Sequence, residues 1–191
     1  SLSLSLRRMT DMPEQGWYSG SSHVHMNYAG DLHNTLENLM FMSEAEDQAV
    51  VNELVANKDN RILDYQFFTG GVDPVSTSER VLHVGEEYRP AFHGHVFLLD
   101  LKEHLLSPFA SGYEGTAIHS LHPTNTEVFR LAGKQGAFRG YVHPFSGEND
   151  PNSGDNPSLG GTKAFPVDAA FGTVEALEMS TANHAAYIVW H

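Results

Sequence analysis

The sequence predicts an α/β fold in one domain, and three observations carry that prediction. The chain has 191 residues, long enough for one substantial core and short of two ordinary domains. Hydrophobic residues make up 40% before the 17 glycines are counted, which excludes wholesale disorder. Strand, helix and strand signals then follow one another over residues 16–56, the pattern of a βαβ unit.

Taken in order, the Ser/Leu alternation over residues 1–6 is a strand signal. Residues 1–14 are therefore expected to be a strand or linker closing an upstream region, ahead of a domain over 15–191. Trp17, Tyr18 and Val24 make a strand of 16–25, loosened at Gly20-Ser21-Ser22 just before His23-Val24-His25. Asn34 with Glu37 three residues later resembles a capping box, and Leu36, Leu39, Met40 and Ala45 follow at helical spacing, so a helix is expected over 35–47. The stretch 49–56 reads as the second strand, with Asn57 just past its end.

Gly70-Gly71-Val72-Asp73-Pro74 is a turn, and residues 80–89 and 94–101 read as two more strands. Val96-Phe97-Leu98-Leu99 is a continuous apolar run, which predicts a strand buried on both faces as parallel sheets require. Thr124-Asn125-Thr126-Glu127 is a capping box that opens a helix through Val128, Phe129, Leu131 and Ala132, ended by Gly133 or Gly136. Residues 138–142 form a strand that delivers His143-Pro144. The polar stretch 146–161 is expected as a mobile loop covering a site. Residues 174–179 make a further strand, and Ser180 or Thr181 caps a last helix through Ala185, Ala186, Ile188 and Val189. The chain stops at His191 inside that helix, so a fragment lacking its carboxy-terminal part is expected.

Charge excludes several function classes. Eleven basic side chains against 24 acidic ones leave a net charge of −13, and no basic cluster exceeds Arg7-Arg8. Nucleic acid and an anionic membrane are therefore not expected partners; a small molecule is. Without cysteine there are no disulfides, thiolate metal sites or cysteine nucleophile. No stretch approaches the ~20 apolar residues of a spanning helix, and no signal peptide is visible, so a soluble chain is expected in a compartment the sequence leaves open, the periplasm and extracellular space included. Gly-x-Ser-x-Gly, P-loop, Gly-x-Gly-x-x-Gly and His-Glu-x-x-His motifs are absent.

Histidine stands out: twelve are present, more than all Lys and Arg together. In a chain without cysteine, this points to hard or borderline metal ions held by imidazole and carboxylate. His23 and His25, two apart on an extended chain, point to the same side and can grip one ion or two adjacent ones. Glu87, His95 and His143 fall at successive strand ends, where α/β folds gather their ligands, and complete a candidate metal set with them. Glu178, Asn57 and His122 are additional candidates, the first as a ligand or an orienter of ligands. His95 is preferred to His93, because the apolar strand starts right after it. His33 and His104 are expected to be ordinary surface histidines. For each histidine the competing reading is a surface or backbone-bonded side chain. The chemistry implied is a centre of more than one ion that activates water for hydrolysis.

The segment Gly16-Trp17-Tyr18-Ser19-Gly20-Ser21-Ser22-His23-Val24-His25 resembles the Gly-Trp-Tyr-x-Gly-Asp-x-His-x-His opening of PHP-superfamily (polymerase and histidinol phosphatase) metallohydrolases, in the branch that includes carbaryl hydrolases. Gly85-Glu86-Glu87-Tyr88, Gly94-His95-Val96-Phe97-Leu98-Leu99 and Gly140-Tyr141-Val142-His143-Pro144-Phe145 follow in the order of that branch. The resemblance implies a distorted seven-stranded (β/α) barrel, TIM-barrel-like and incomplete here at its carboxy terminus. It also implies two or three divalent ions, commonly zinc, manganese or iron. His23 and His25 match the first metal pair, Glu87 a carboxylate that bridges ions, and His95 and His143 the later histidines; Glu178 falls near an acidic position. Three departures stand out: Ser21 replaces an aspartate, Val55-Ala56-Asn57 stands where Thr-Asp-His is common, and the final Asp-containing motif would lie beyond His191.

The expected function is thus a metal-dependent, amidohydrolase-like hydrolase acting on an ester, phosphoester or amide bond. Two rivals remain: a non-catalytic metal- or ligand-binding module, and a truncated chain that completes its barrel as a homo-oligomer.

Overall fold

The computed structural model describes residues 3–5, 7–27, 33–58, 62–144 and 160–179. Along them run β1 (Gly20–Val24), α1 (Leu36–Ala45), β2 (Val50–Ala56), β3 (Val81–Tyr88), β4 (Val96–Leu99), α2 (Asn125–Lys134), β5 (Phe138–Tyr141), α3 (Phe165–Ala170) and β6 (Ala176–Leu177). Short 3₁₀ turns occupy Pro13–Gln15, Leu63–Phe67 and Gly160–Thr162. The expected terminal helix from residue 180, and residues 146–159 of the loop expected over 146–161, lie outside the described residues; the last two, Gly160 and Gly161, begin the 3₁₀ turn Gly160–Thr162.

The six strands form one sheet in chain order, β1-β2-β3-β4-β5-β6. β1, β2 and β3 are mutually parallel, as are β5 and β6, but β4 runs antiparallel to both its neighbours. This corrects the parallel reading of Val96-Phe97-Leu98-Leu99. Only residues 89–95 link β3 to β4, too few for the dozen or more that a parallel crossover needs. Burial on both faces makes the run apolar, whatever its direction.

In a flat sheet β1 and β6 would stand about 24 Å apart, five spacings of about 4.8 Å. Yet Ser22 and His23 touch Glu178, just past β6, at 3.2 and 3.4 Å. The sheet therefore curls until its edge strands face each other, and alternation sorts the side chains into an inside and an outside. Outward, Val51, Val55, Leu82 and Val84 pack under Leu36, Leu39 and Met40 of α1. Tyr88, Val96, Leu98, Tyr141 and Leu177 likewise pack with Val128, Phe129 and Ala132 of α2. Inward, Leu54, Phe97 and Val142 fill the concave side. Each fully buried side chain of this kind contributes about 1.5–3 kcal/mol. Gly140 faces inward where a Cβ would strike the Phe97 ring, so glycine is required there.

The helices begin where their caps dictate. Thr124 and Glu127 form the expected capping box of α2. At α1 the cap is Thr35 rather than Asn34: its hydroxyl accepts from Asn38 N, while Asn34 Oδ1 takes the Thr35 N–H. The helix stops at Ala45, two residues early, because Asp47 turns left-handed at φ 58°. α3 was not expected; it is held by Asp168, whose carboxylate accepts from Tyr141 Oη at 2.6 Å and Thr126 Oγ1 at 2.5 Å. Burial and this carboxylate push the Tyr141 hydroxyl far above its ordinary pKa. Residues 3–5, expected in a strand, are exposed and outside the sheet, since alternation without a partner edge is not stable. The amino-terminal segment is tied instead by Arg8, whose guanidinium grips Asp47 at 2.5 and 2.6 Å. Among the described residues no helix is long and apolar enough to cross a membrane.

Candidate metal centre

One end of the curled sheet gathers His23, His25, Glu87, His95 and His143. β1 supplies His23 and, one residue beyond its end, His25; alternation turns both inward while Val24 packs outward. Glu87 is the penultimate residue of β3, inward between outward Glu86 and Tyr88. His95 comes from the amino end of β4, a consequence of the reversed strand, and still meets the carboxyl ends of its neighbours. Gly94 makes this approach possible: its φ is 102°, and a Cβ would collide with the Gly161 carbonyl.

His143 departs from the alternation. Val142 already points inward, so a continuing strand would turn His143 outward. Its left-handed φ of 30° ends the extended run, and the imidazole meets His95 instead, Nε2 to Nδ1 at 3.4 Å. A non-glycine residue held there is backbone strain of the kind found at functional sites.

Glu87 is the hub, with no exposed surface on its side chain. Its Oε2 lies 2.9 Å from His25 Nε2 and 3.8 Å from His23 Nε2; its Oε1 lies 3.2 Å from His95 Nδ1 and 3.6 Å from His143 Nε2. Oε1 is nevertheless buried without a hydrogen bond, because neither imidazole is aligned to donate to it. His23 and His25 bring their Nε2 atoms to 3.0 Å of each other. Two trios result, His23 with His25 and Glu87, and Glu87 with His95 and His143, each with donor atoms within 4.8 Å of one another. Neutral imidazole nitrogens and a carboxylate oxygen, converging with an unsatisfied oxygen between them, fit a divalent cation.

The rings are held from behind. His25 Nδ1 donates to the Leu54 carbonyl at 2.7 Å, which leaves its Nε2 lone pair facing Glu87. Glu178 stands 3.4 Å from His23 Nδ1 and accepts the His143 backbone N–H at 2.8 Å, so it orients one member of each trio. Burial opposes charge on His23, but the neighbouring carboxylates of Glu178 and Glu87 push it up to about 9. Burial holds the His95 imidazole below its ordinary value despite Glu87. Burial alone would raise Glu87; the surrounding histidines outweigh it and hold the carboxyl well below the usual range. Glu178 is lowered by His23 and the His143 amide against the same opposing burial.

Two expected site residues are placed elsewhere. Asn57 uses both ends of its amide on backbone, donating to Ala110 O at 2.8 Å and accepting from Arg89 N at 2.7 Å. It pins the 107–112 loop to the end of β3, which commits both ends of its amide to backbone away from the centre. His122 is largely exposed and faces Glu127 at 3.4 Å, drawn there by the capping carboxylate. His93 bonds Leu121 O at 2.9 Å, consistent with the preference for His95. His104 is not a surface histidine: it bonds Glu86 at 2.7 Å and stacks on Tyr65 with ring centroids 3.6 Å apart. Sequence reading missed Arg89, whose Nη1 lies 3.5 Å from Glu87 Oε2. The available signal was its position two residues after Glu87 on an alternating strand.

No family model matches the chain, and no curated protein matches it. Among solved structures it is similar to a two-domain protein from Bacteroides vulgatus ATCC 8482 that contains a predicted PHP-like metal-dependent phosphoesterase, with 16% identity and a TM-score of 0.49. The match covers 90% of this chain and 47% of that one, so the chain spans about half the length of that protein.

Proposed function

We propose that the chain is a metal-dependent hydrolase of the PHP type, in the branch with carbaryl hydrolases, acting on a small molecule through an ester, phosphoester or amide bond. The observation that carries the reading is Glu87: a fully buried carboxylate with an unsatisfied oxygen, set between two histidine pairs. The ordered motifs around His23, Glu87, His95 and His143 support it.

In this reading His23, His25 and Glu87 hold one divalent ion, zinc, manganese or iron, and Glu87, His95 and His143 hold a second. The ions would supply Lewis acidity and a water whose pKa is lowered toward neutrality. The residues do the rest. Leu54 O fixes the tautomer of His25, and Glu178 orients His23 from its far nitrogen and His143 from its amide. Leu54, Phe97 and Val142 close the concave side beneath the centre and exclude water from below. Glu87 belongs to both trios and keeps the two positions adjacent.

The test is turnover of a panel of phosphoester, carboxyl ester and amide substrates with added manganese or zinc. Metal-dependent hydrolysis that disappears in His25→Ala is expected. A flat panel from fully metal-loaded protein would instead favour a non-catalytic binding module.

A further inference from the structure

Gly16-Trp17-Tyr18 opens the motif that ends in the His23 and His25 pair, yet the metal centre uses neither ring. The two aromatics stand before the amino end of β1 and border a cavity of about 600 Å³, together with Ala49 before β2 and Arg80 before β3. The cavity therefore lies at the amino ends of the parallel strands, whereas the centre lies at their carboxyl ends, about 20 Å away along β2. Its outer wall is the amino-terminal segment. The 3₁₀ turn Pro13–Gln15 and Gly16 at φ 80° fold that segment back, so that the Trp17 N–H reaches Met12 O at 3.1 Å. The grip of Arg8 on Asp47 clasps this wall to the sheet.

The lining has an aromatic part and a cationic part. Trp17 and Tyr18 are 70% and 66% exposed, and large rings left bare beside a concave space of this size mark a place where a ligand is taken up. Arg80 is only 21% exposed. Its backbone is clamped by Thr77, whose hydroxyl accepts the Arg80 N–H at 3.1 Å and whose own N–H donates to Arg80 O at 2.8 Å. Its guanidinium is not satisfied in the same way: Nε is buried without a hydrogen-bond partner, and Glu44 approaches Nη1 only to 4.0 Å. The carboxylates bordering the cavity are engaged or solvated. Asp47 is held by Arg8, Glu79 accepts from Ser78 Oγ at 2.9 Å, and Asp11 is exposed. A planar fork of donors with spare capacity, set beside two bare rings, suits a carboxylate carried on a flat aromatic body.

We infer that this cavity is a second binding site, separate from the metal centre, for a small planar aromatic carboxylate whose ring lies against Trp17 and Tyr18 and whose carboxylate meets Arg80. The site stands independently of the hydrolase reading, since it shares no residue with the centre.

Titration calorimetry of the full chain with naphthoate tests the inference, with naphthylmethylamine, cationic at neutral pH, as the probe of opposite charge. Wild type, Arg80→Gln, Trp17→Ala and His25→Ala are compared. Saturable binding of naphthoate to wild type is expected, at least tenfold weaker in Arg80→Gln and severalfold weaker in Trp17→Ala. The amine is expected to bind wild type at least tenfold more weakly than naphthoate, and His25→Ala to bind naphthoate as wild type does. Trp17 is mostly exposed, so its replacement leaves the core intact and the result does not depend on the Arg80 variant folding. Absence of saturable naphthoate binding in wild type overturns the inference, as does unchanged affinity in Trp17→Ala. Amine binding as tight as that of naphthoate overturns it too, because the carboxylates would then select the ligand. Loss of naphthoate binding in His25→Ala would place the carboxylate on the metal centre and equally overturn a separate site.

Discussion

Glu87→Gln separates a shared carboxylate from five independent side chains. The substitution keeps the shape of a fully buried group and removes its charge from both trios at once. With free metal at 100 times its Kd, each bound ion adds about 2.7 kcal/mol to the folded state. At about 2–4 °C per kcal/mol for a chain of 191 residues, two ions raise Tm by about 11–22 °C. Residues that merely orient a ligand are worth about 10–100-fold in metal affinity, so removing a ligand should cost at least the upper figure and leave a position half filled or less. Glu87→Gln is therefore expected to lose both ions and most of the metal-induced rise, whereas His25→Ala and His143→Ala each lose one ion and about half of it. Plasma mass spectrometry of the dialysed proteins, with thermal unfolding followed by circular dichroism with and without manganese, reads both quantities. Retention of one full ion in Glu87→Gln, or loss of two in His25→Ala, would refute the shared-ligand argument.

Three further predictions rest on single residues. His23, raised to about 9 from 6.5, keeps its proton at neutral pH in the metal-free protein; its stabilising contribution is complete below about pH 6.5 and disappears as pH rises through about 9. Metal must displace that proton, so apparent affinity should climb about tenfold per pH unit from 7 to 9 in titration calorimetry; a flat profile would remove His23 from the ligand set. Asn57→Ala, which strips partners from Ala110 O and Arg89 N, should cost about 1–3 kcal/mol in urea unfolding while metal content stays constant; a fall in metal content would return Asn57 to the centre. Asp168→Ala leaves the buried hydroxyl of Tyr141 and the half-buried hydroxyl of Thr126 without their acceptor and should cost about 2–4 kcal/mol by the same assay, and a cost under 0.5 kcal/mol would contradict the network.

Local pattern determined much of this molecule. Apolar periodicity located β2, β3, β4 and β5 to within a residue or two, and the Thr124/Glu127 pair marked the start of α2. The i, i+2 spacing of His23 and His25, and the strand-end positions of Glu87, His95 and His143, were readable because side-chain direction in a strand repeats every two residues. Those signals are carried by neighbours in the chain.

What depends on distant neighbours was settled only by the folded chain. The inward turn of His143 comes from one left-handed residue that breaks the alternation, whereas the direction of β4 was already implied by the short 89–95 link and only its apolar run argued otherwise. Asn57 looked like a strand-end ligand, but a loop 53 residues away takes its amide. Glu178 reaches His23 across 155 residues because the sheet curls until its edges meet. A sequence encodes which groups are polar and where each element stops. Which lone pair each group finally faces is decided by sheet closure, since burial leaves no polar group indifferent to its partner.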